Sequence, residues 1–424
     1  MLRAENGDMR MAHSATLAEL VLDDAAAEQS NRGVAGRFAV SVTHDLAVVG
    51  AVWRALSAGS IDSPGQMPGF IRLWTEALRI PAANQVYVVA TDDGVPVALL
   101  PLQRRWDKGA RVLSWFPGAH VGCNAPIIDT ARLAAMTPAR RRQLWRDMLR
   151  SVPGADVVYL KSVPEFPVGG VDLFAELGQS IAAETLHRVA FTSFEEADKT
   201  QRNKSRRKHD RQQGDKLEAM GAVSFEELDN GAAAVAALDT LFRQRAARFR
   251  EMGVFDPFAV PAIRAFYDAT ASTGSGVPVK LHLLKLNGDV VAMRYNVVHG
   301  DQLFCLISSM SEDPALRPGS PGKQCLLRVM QTMFDEGFRV FDMGEGLTDE
   351  KRHWCNVQIP VRHHYIPITR RGAVAASLHR GWQLTRARIK SDPKLLELAK
   401  RLRGFVARLK GGSAPTPIVA ASED

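Results

Sequence analysis

The sequence reads as α/β (mixed α+β), with mixed β-sheets flanked by helices and arranged in tandem. Two observations carry this. A helix, helix, strand, glycine turn, strand order occurs over residues 46–102 and again over residues 232–298. The strands of both copies are near-continuous apolar runs, as at Val86, Val88, Val89 and Ala90, the pattern of a sheet covered on both faces. Little residue identity links the copies, so the repeat is one of architecture and predicts two related α/β domains.

Residues 38–42 read as a strand, and Leu46, Val49, Trp53 and Leu56 then recur at helical spacing. A Gly/Pro/Ser loop over 60–69 precedes a second helix carrying Phe70, Leu73, Trp74, Ala77 and Leu78. Asp92, Asp93 and Gly94 turn a hairpin between strands 86–90 and 95–102. Short strands are expected at 112–116, 125–128 and 157–160, and a basic helix at 138–150.

Residues 199–216 hold eight Lys/Arg and two acids without a regular apolar stripe, so they read as a polar helix or arm. Gly221 ends it and a strand follows at 222–226. Leu238, Leu241, Phe242 and Phe249 mark a helix over 232–252, and a second helix spans 261–271. Strands 279–286 and 290–298 flank the Asn287-Gly288-Asp289 turn. A strand at 303–308, a helix at 323–336 and a strand at 339–343 complete the second copy. Leu395, Leu398, Leu402, Phe405 and Leu409 place a basic amphipathic helix over 394–410, ahead of a flexible tail. The expected organisation is a disordered segment 1–37, a first domain 38–195, a basic helical arm 196–221, a second domain 222–370 and a basic C-terminal region 371–424.

Composition narrows the function classes. The 424 residues suffice for two or three domains, and 46% apolar with 24% charged residues is ordinary for a globular protein. No run of about 18 apolar residues occurs. Residues 1–37 lack the basic, apolar, small-residue order of a signal peptide, which points to the cytoplasm. Cys123, Cys305, Cys325 and Cys355 are scattered and read as reduced, buried thiols. The net charge of +8 comes from residues 370–410, which hold twelve Lys/Arg against two acids. The body is balanced, so nucleic acid is not its automatic partner.

Two stretches carry candidate chemistry. Residues 317–323 lead from a strand into a helix. A helix start presents unpaired N–H groups and a dipole that favours anions. Gly319 and Gly322 admit a phosphate close to the backbone, Arg317 and Lys323 supply charge, and Ser320 supplies a hydroxyl. The same residues also read as an ordinary Pro/Gly helix start, and the Gly-Lys-Ser/Thr ending of the Walker pattern is absent. The second stretch begins at the exit of strand 339–343, where Asp342, Glu345, Asp349, Glu350, Lys351, Arg352 and His353 crowd together. Such strand ends line sites in α/β sheets. Asp342 or Glu345 suits a general base for an attacking amine, and Lys351 suits a carboxylate or phosphate. A solvated turn with surface ion pairs is the alternative. His353, His363 and His364 fit no familiar metal spacing, so no metal is expected. The basic run 199–216 is either a solvated face or a clamp for an anionic partner, and its lack of aromatics argues against stacking on single strands.

Taken in order, several stretches resemble a known family. They are Trp74, strand 86–90, Gly94 and Val97 to Leu102, then Arg202 to Arg207 and Gly221 to Phe225. Residues 242–253 and 258–266 follow, then Leu286 to Ala292, Arg317 to Gly319, and Phe341-Asp342 with Gly346 and Lys351. Over residues 38–367 the chain resembles GNAT-superfamily acetyltransferase-like proteins of the CelD (cellulose biosynthesis) type, related to the FemAB peptidyltransferases. The resemblance implies tandem GNAT-like domains and transfer of an acyl group from acetyl-CoA or another acyl-CoA to an amine. The acceptor would be a small molecule or an envelope precursor. It places Arg317, Gly319, Ser320, Gly322 and Lys323 at the CoA diphosphate. Asp342, Glu345 and Lys351 would be catalytic, with Gly346 and Trp354 at the substrate. The chain departs from the family pattern at Thr348 and Glu350, where an acid and a Tyr are common, and at Ser320, where the phosphate loop has its first Gly. One alternative is FemAB-like transfer from an aminoacyl-tRNA gripped by residues 199–216. Another is a non-catalytic accessory role in exopolysaccharide or cellulose biosynthesis, with the basic C-terminal helix touching a membrane or synthase.

Overall fold

The computed structural model describes residues 38–165, 174 and 177–392. The expected segment 1–37, helix 394–410 and tail lie outside the described residues. The first half contains β1 (Ala39–Thr43), α1 (Leu46–Leu56), α2 (Pro68–Ala77), β2 (Gln85–Asp92), β3 (Val95–Asp107), β4 (Ala110–Trp115), β5 (Ile127–Ile128), α3 (Thr130–Ala135), α4 (Pro138–Arg150), β6 (Val157–Pro164) and β7 (Gln179–Ala190). The second contains α5 (Phe194–Gln201), α6 (Lys204–Glu218), β8 (Val223–Asp229), α7 (Ala232–Met252), α8 (Pro261–Ala271), β9 (Val279–Leu286), β10 (Asp289–His299) and β11 (Gln302–Met310). It continues through α9 (Pro321–Asp335), β12 (Val340–Glu345), α10 (Asp349–Trp354), β13 (Val357–Pro367) and α11 (Arg370–Ser391).

The fold is mixed α/β, and the repeat is present: α1, α2, β2 and β3 are matched by α7, α8, β9 and β10. The sheets expected of the two copies run together as one 13-stranded sheet in the order β1-β2-β3-β4-β6-β13-β7-β12-β11-β10-β9-β8, with β5 on β3. The join is an exchange. The late strand β13 pairs antiparallel with β6 of the first half, and β7, early in the chain, pairs antiparallel with β12 of the second. β13 and β7 also pair with each other, so each half completes the other. Pro360, which has no N–H to give a ladder, sits at a shift in the β13–β7 register.

One shared core seals the halves. α2 and α8 each begin with Pro, whose fixed φ suits a first turn. Their apolar faces meet at Phe70 and Phe266, with ring centroids 4.9 Å apart, and at Trp74 and Phe266, 5.0 Å apart. A Cβ on Gly69 would stand 2.8 Å from the Gly276 carbonyl oxygen, so only glycine allows this approach. On the opposite face, Trp145, Met148 and Leu149 of α4 cover the first half. Cys325, Leu326, Val329 and Met333 of α9 cover the second.

The basic arm is two helices rather than one. α5 and α6 are separated at Arg202 and Asn203, and the Asn203 side chain caps α6 by accepting from the Arg206 N–H. The packed face of α6 is Asp210, Gly214 and Leu217, three residues at helical spacing of which only one is apolar. An apolar-stripe search passes over such a face.

Candidate functional site

β11 and β12 run parallel but pair only over Gln302–Phe304 and Val340–Asp342, after which β11 continues to Met310 paired with β10 alone. Two parallel strands that separate toward their carboxyl ends leave a mouth between them. β12 is bent here. Its register with β7 shifts between Asp342 and Glu345, and Gly344 (φ +79°) and Gly346 (φ +80°) take the left-handed conformation that glycine adopts without a Cβ penalty.

Asp342 faces the seam between the halves and is 3% exposed. Its Oδ2 accepts from Arg188 Nε at 2.7 Å and its Oδ1 accepts from the Gly344 N–H at 2.7 Å. Arg188 Nη2 donates to the Asp62 carbonyl oxygen at 2.7 Å, and Nη1 lies 3.7 Å from the Asp62 carboxylate. Burial works against the Arg188 charge, but Asp342, Cys123 and Asp62 more than offset it and hold its pKa above the ordinary value. One guanidinium thus joins β7, β12 and the loop before α2.

After β12, the Thr348 hydroxyl caps α10 by accepting from the Lys351 N–H. The Lys351 side chain is buried and its ammonium donates to the Glu345 carbonyl oxygen. Glu345 itself is half-buried. Gly346 donates its N–H to the Thr185 carbonyl at 3.1 Å. From α10, Glu350 reaches back to β10, where its Oε2 accepts from Arg294 Nη2 at 2.6 Å. Arg294 is buried, and Glu350 holds its guanidinium charged against the opposing effect of burial.

The predicted phosphate loop lies beside α10. A 3-10 turn over Pro314–Gly319 leads to Ser320, which has φ +44°, and into α9. Pro321 has no N–H, and the N–H groups of Lys323 and Gln324 already bond the Ser320 carbonyl. α6 covers one side: a Cβ on Gly319 would stand 2.9 Å from Leu217, and Gln213 donates to the Ser320 hydroxyl at 2.7 Å. On the other side two cations converge. Lys323 Nζ and Arg206 Nη2 both bond Oδ2 of Asp349, at 2.9 Å and 3.1 Å. Lys323 first, and then Arg206, bring the Asp349 carboxyl down to about 2.

The structure therefore gathers Ser320, Gly322 and Lys323 next to α10, and sets Lys351 against Glu345. A Cβ on Gly322 would meet Met310 at 3.2 Å and Glu350 at 3.9 Å. It does not gather the rest. Arg317 is exposed and pairs with Glu251 of α7. Trp354 is buried, its ring covered by Arg202 at 4.6 Å and packed near Phe194. Asp342 points into the seam. Sequence reasoning missed Arg188, Arg206, Arg294 and Asp62. A charge inside an apolar strand run, as at Arg294 and Arg188, is the signal that finds two of them; Arg206 is indistinguishable within its basic run.

The four cysteines are free thiols, buried at Cys123, Cys325 and Cys355 and half-buried at Cys305. Among the described residues no group of three or more His, Cys, Asp or Glu is placed to hold a metal ion. Among the same residues no helix is long and apolar enough to cross a membrane. A separate open cavity of about 520 Å³, lined by Phe194, Phe225, Arg328, Gln331, Thr332 and Asp335, shares none of the gathered residues.

Residues 204–352 match the family described as Acetyltransferase (GNAT) domain. The match begins at the first residue of α6 and ends within α10, so it includes the second helix of the arm, the loop and the mouth. No curated protein matches the chain. Among solved structures it is similar to L-PGS from Bacillus licheniformis, with 11% identity over 79% of this chain and 94% of that one, TM-score 0.44. It is similar to FemX, with 11% identity over 68% and 90%, TM-score 0.45. It is also similar to a tandem GNAT protein from the clavulanic acid biosynthesis pathway, with 12% identity over 78% and 98%, TM-score 0.41.

Proposed function

We propose that this chain is a cytoplasmic GNAT-type N-acyltransferase that moves an acyl group from acetyl-CoA or another acyl-CoA to an amine on a small molecule or envelope precursor. The family match over 204–352 supports the class. The observation that carries the site is the convergence of Lys323 of α9 and Arg206 of α6 on one oxygen of Asp349, the first residue of α10. Cations from separate elements that share one carboxylate oxygen are read as an anion site, with the Asp349 carboxylate in the place of a phosphate oxygen and Arg206 held in position by Asp210.

The residues fit a diphosphate through side chains more than through backbone. Lys323 and Arg206 supply charge-assisted donors and Ser320 a hydroxyl at a helix N-terminus. Gly319 is closed by Leu217, and two first-turn N–H groups are already engaged. Lys323 and Arg206, with Ser320 and Gly322 beside them and Arg317 at the outer end of the loop, would hold the diphosphate. When bound, the acyl-CoA supplies the thioester that the amine attacks.

The protein's own contribution is positioning and proton transfer. Both oxygens of Asp342 are engaged, so it fixes the bend of β12, and Glu345 is the residue assigned to take the proton from the amine. Lys351, anchored on the Glu345 carbonyl, holds that segment and orients the acceptor. The glycine at 346 keeps backbone close to the substrate, and Trp354 backs α10. A thermal-shift titration tests the reading: acyl-CoA at millimolar concentration is expected to raise Tm, and an unchanged Tm would count against acyl-CoA as donor.

A second reading, transfer from an aminoacyl-tRNA, draws on one observation. Lys204, Lys208 and Arg211 form an exposed basic stripe on α6. Binding of tRNA that falls steeply with salt would favour it, and a flat salt response would remove it.

A further inference from the structure

The helix α11 is built the reverse of a packed surface helix. Its inner face is Gly372, Ala376 and His379, lying on β13, β6 and β4. Ala376 is buried with Tyr365, and the Tyr365 hydroxyl lies 3.1 Å from His379 Nδ1. The large apolar side chains point outward instead: Val374 is 61% exposed, Leu378 71% and Trp382 49%. They follow one another at four-residue spacing and so form one stripe along the helix.

A second element extends the stripe. Trp106 and Lys108, near the turn between β3 and β4, lie beside it. Trp106 is 61% exposed, with the Arg371 guanidinium 4.8 Å from its ring centroid. Lys108 and Arg386 lie 5.5 Å and 5.6 Å from the Trp382 ring. The face is therefore apolar at its centre, carries two tryptophans, and has cations at its rim. The charge has one sign on the helix: residues 370–391 contain six Lys/Arg and no Asp or Glu.

We propose that this face docks on an anionic lipid surface. Exposed Trp and Leu flanked by Lys and Arg match the acyl and headgroup layers of such a surface. The cations of the helix, with no acid among residues 370–391, complement its negative potential, and the neighbouring Asp107 is paired with Arg105. A second copy of the chain fits less well, because a two-fold contact would bring the same cations together. The proposal is independent of the acyl-transfer reading.

Sedimentation of the full chain with phosphatidylcholine vesicles containing about one-third phosphatidylglycerol tests it. The wild type is expected to sediment with these vesicles and not with phosphatidylcholine alone, with a blue shift of tryptophan emission. The double variant Val374→Glu/Leu378→Glu changes the two most exposed apolar side chains of the helix and should lose about tenfold or more of the binding while keeping its Tm. Absence of binding, equal binding to both vesicle types, or unchanged binding by the double variant would overturn the proposal. So would a wild-type dimer that fails to bind vesicles and that the double variant converts to a monomer.

Discussion

Arg188 donates through Nε to Oδ2 of Asp342 at 2.7 Å, across the antiparallel pairing of β7 with β12. The pair lies where a strand from the first half of the chain enters the second, and Arg188 also reaches Asp62. Removing one member of a buried pair leaves the other charge uncompensated, at a cost of about 3–5 kcal/mol. Asp342→Ala and Arg188→Ala are each expected to lower stability by that order in urea unfolding. Replacing both with apolar residues should recover much of the loss. A small effect of either single change would show that the seam does not depend on this pair.

Asp349 competes with any anion for Lys323 and Arg206. Exposed pairs of this kind contribute about 0–1 kcal/mol, so freeing Lys323 in Asp349→Asn, with Arg206 still held by Asp210, should tighten coenzyme A binding by no more than about fivefold. The pH dependence has a definite sign. The folded carboxyl is depressed to about 2, so its stabilisation is present above the unfolded value and is lost as pH falls from about 4 toward 2. The Asn variant should be flatter than wild type over that window alone.

Gly319 lets α6 rest on the phosphate loop. A Cβ there would stand 2.9 Å from Leu217, so Gly319→Ala must push the two apart at about 1–3 kcal/mol. Leu217→Ala keeps the Cβ and Cα that the new methyl would meet and removes only the Cδ1 contact at 3.0 Å. The double variant should therefore recover only a small part of the Gly319→Ala loss, as measured by a double-mutant cycle. Full recovery would place the clash at the far end of the leucine side chain instead.

Four histidines set an acid limit. Burial first, and neighbouring cations second, bring His120, His363 and His364 down to about 4 and His282 to about 3. Each folded pKa lies below the unfolded value of about 6.5, so the unfolded chain binds the extra protons. Stability is full above about pH 6.5 and falls as pH drops toward 4, with each histidine adding up to about 1.4 kcal/mol per pH unit. Urea midpoints measured from pH 7 to 4.5 should drop steeply. His282→Phe should reduce the slope.

Local pattern made the repeated unit legible. Apolar spacing and the Asp93-Gly94 and Asn287-Gly288 turns placed α1, α7, α8 and the β2–β3 and β9–β10 hairpins close to their observed bounds. β7, β13 and α11 were not legible. The β13 sequence carries Pro360 and the His363-His364 pair in place of clean alternation, and the packed face of α11 is Gly, Ala and His rather than Leu. The exchange of β7 and β13 depends on pairings such as Leu160 with His364, about 200 residues apart, which no window of sequence contains. The same limit governs the site. Lys323, Glu345 and Lys351 stand in one readable stretch, whereas Arg206, Arg188 and Asp62 reach it only through the fold.

The claim that Lys323 and Arg206 form a phosphate site at the mouth between β11 and β12 is tested most directly by calorimetric titration of coenzyme A. Wild-type protein and Lys323→Ala/Arg206→Ala would be compared at equal salt. The account predicts saturable binding by the wild type and a loss of about tenfold or more in the double variant, with two charge-assisted contacts removed. Equal affinity in the two proteins, or no binding by the wild type at millimolar coenzyme A, would contradict it.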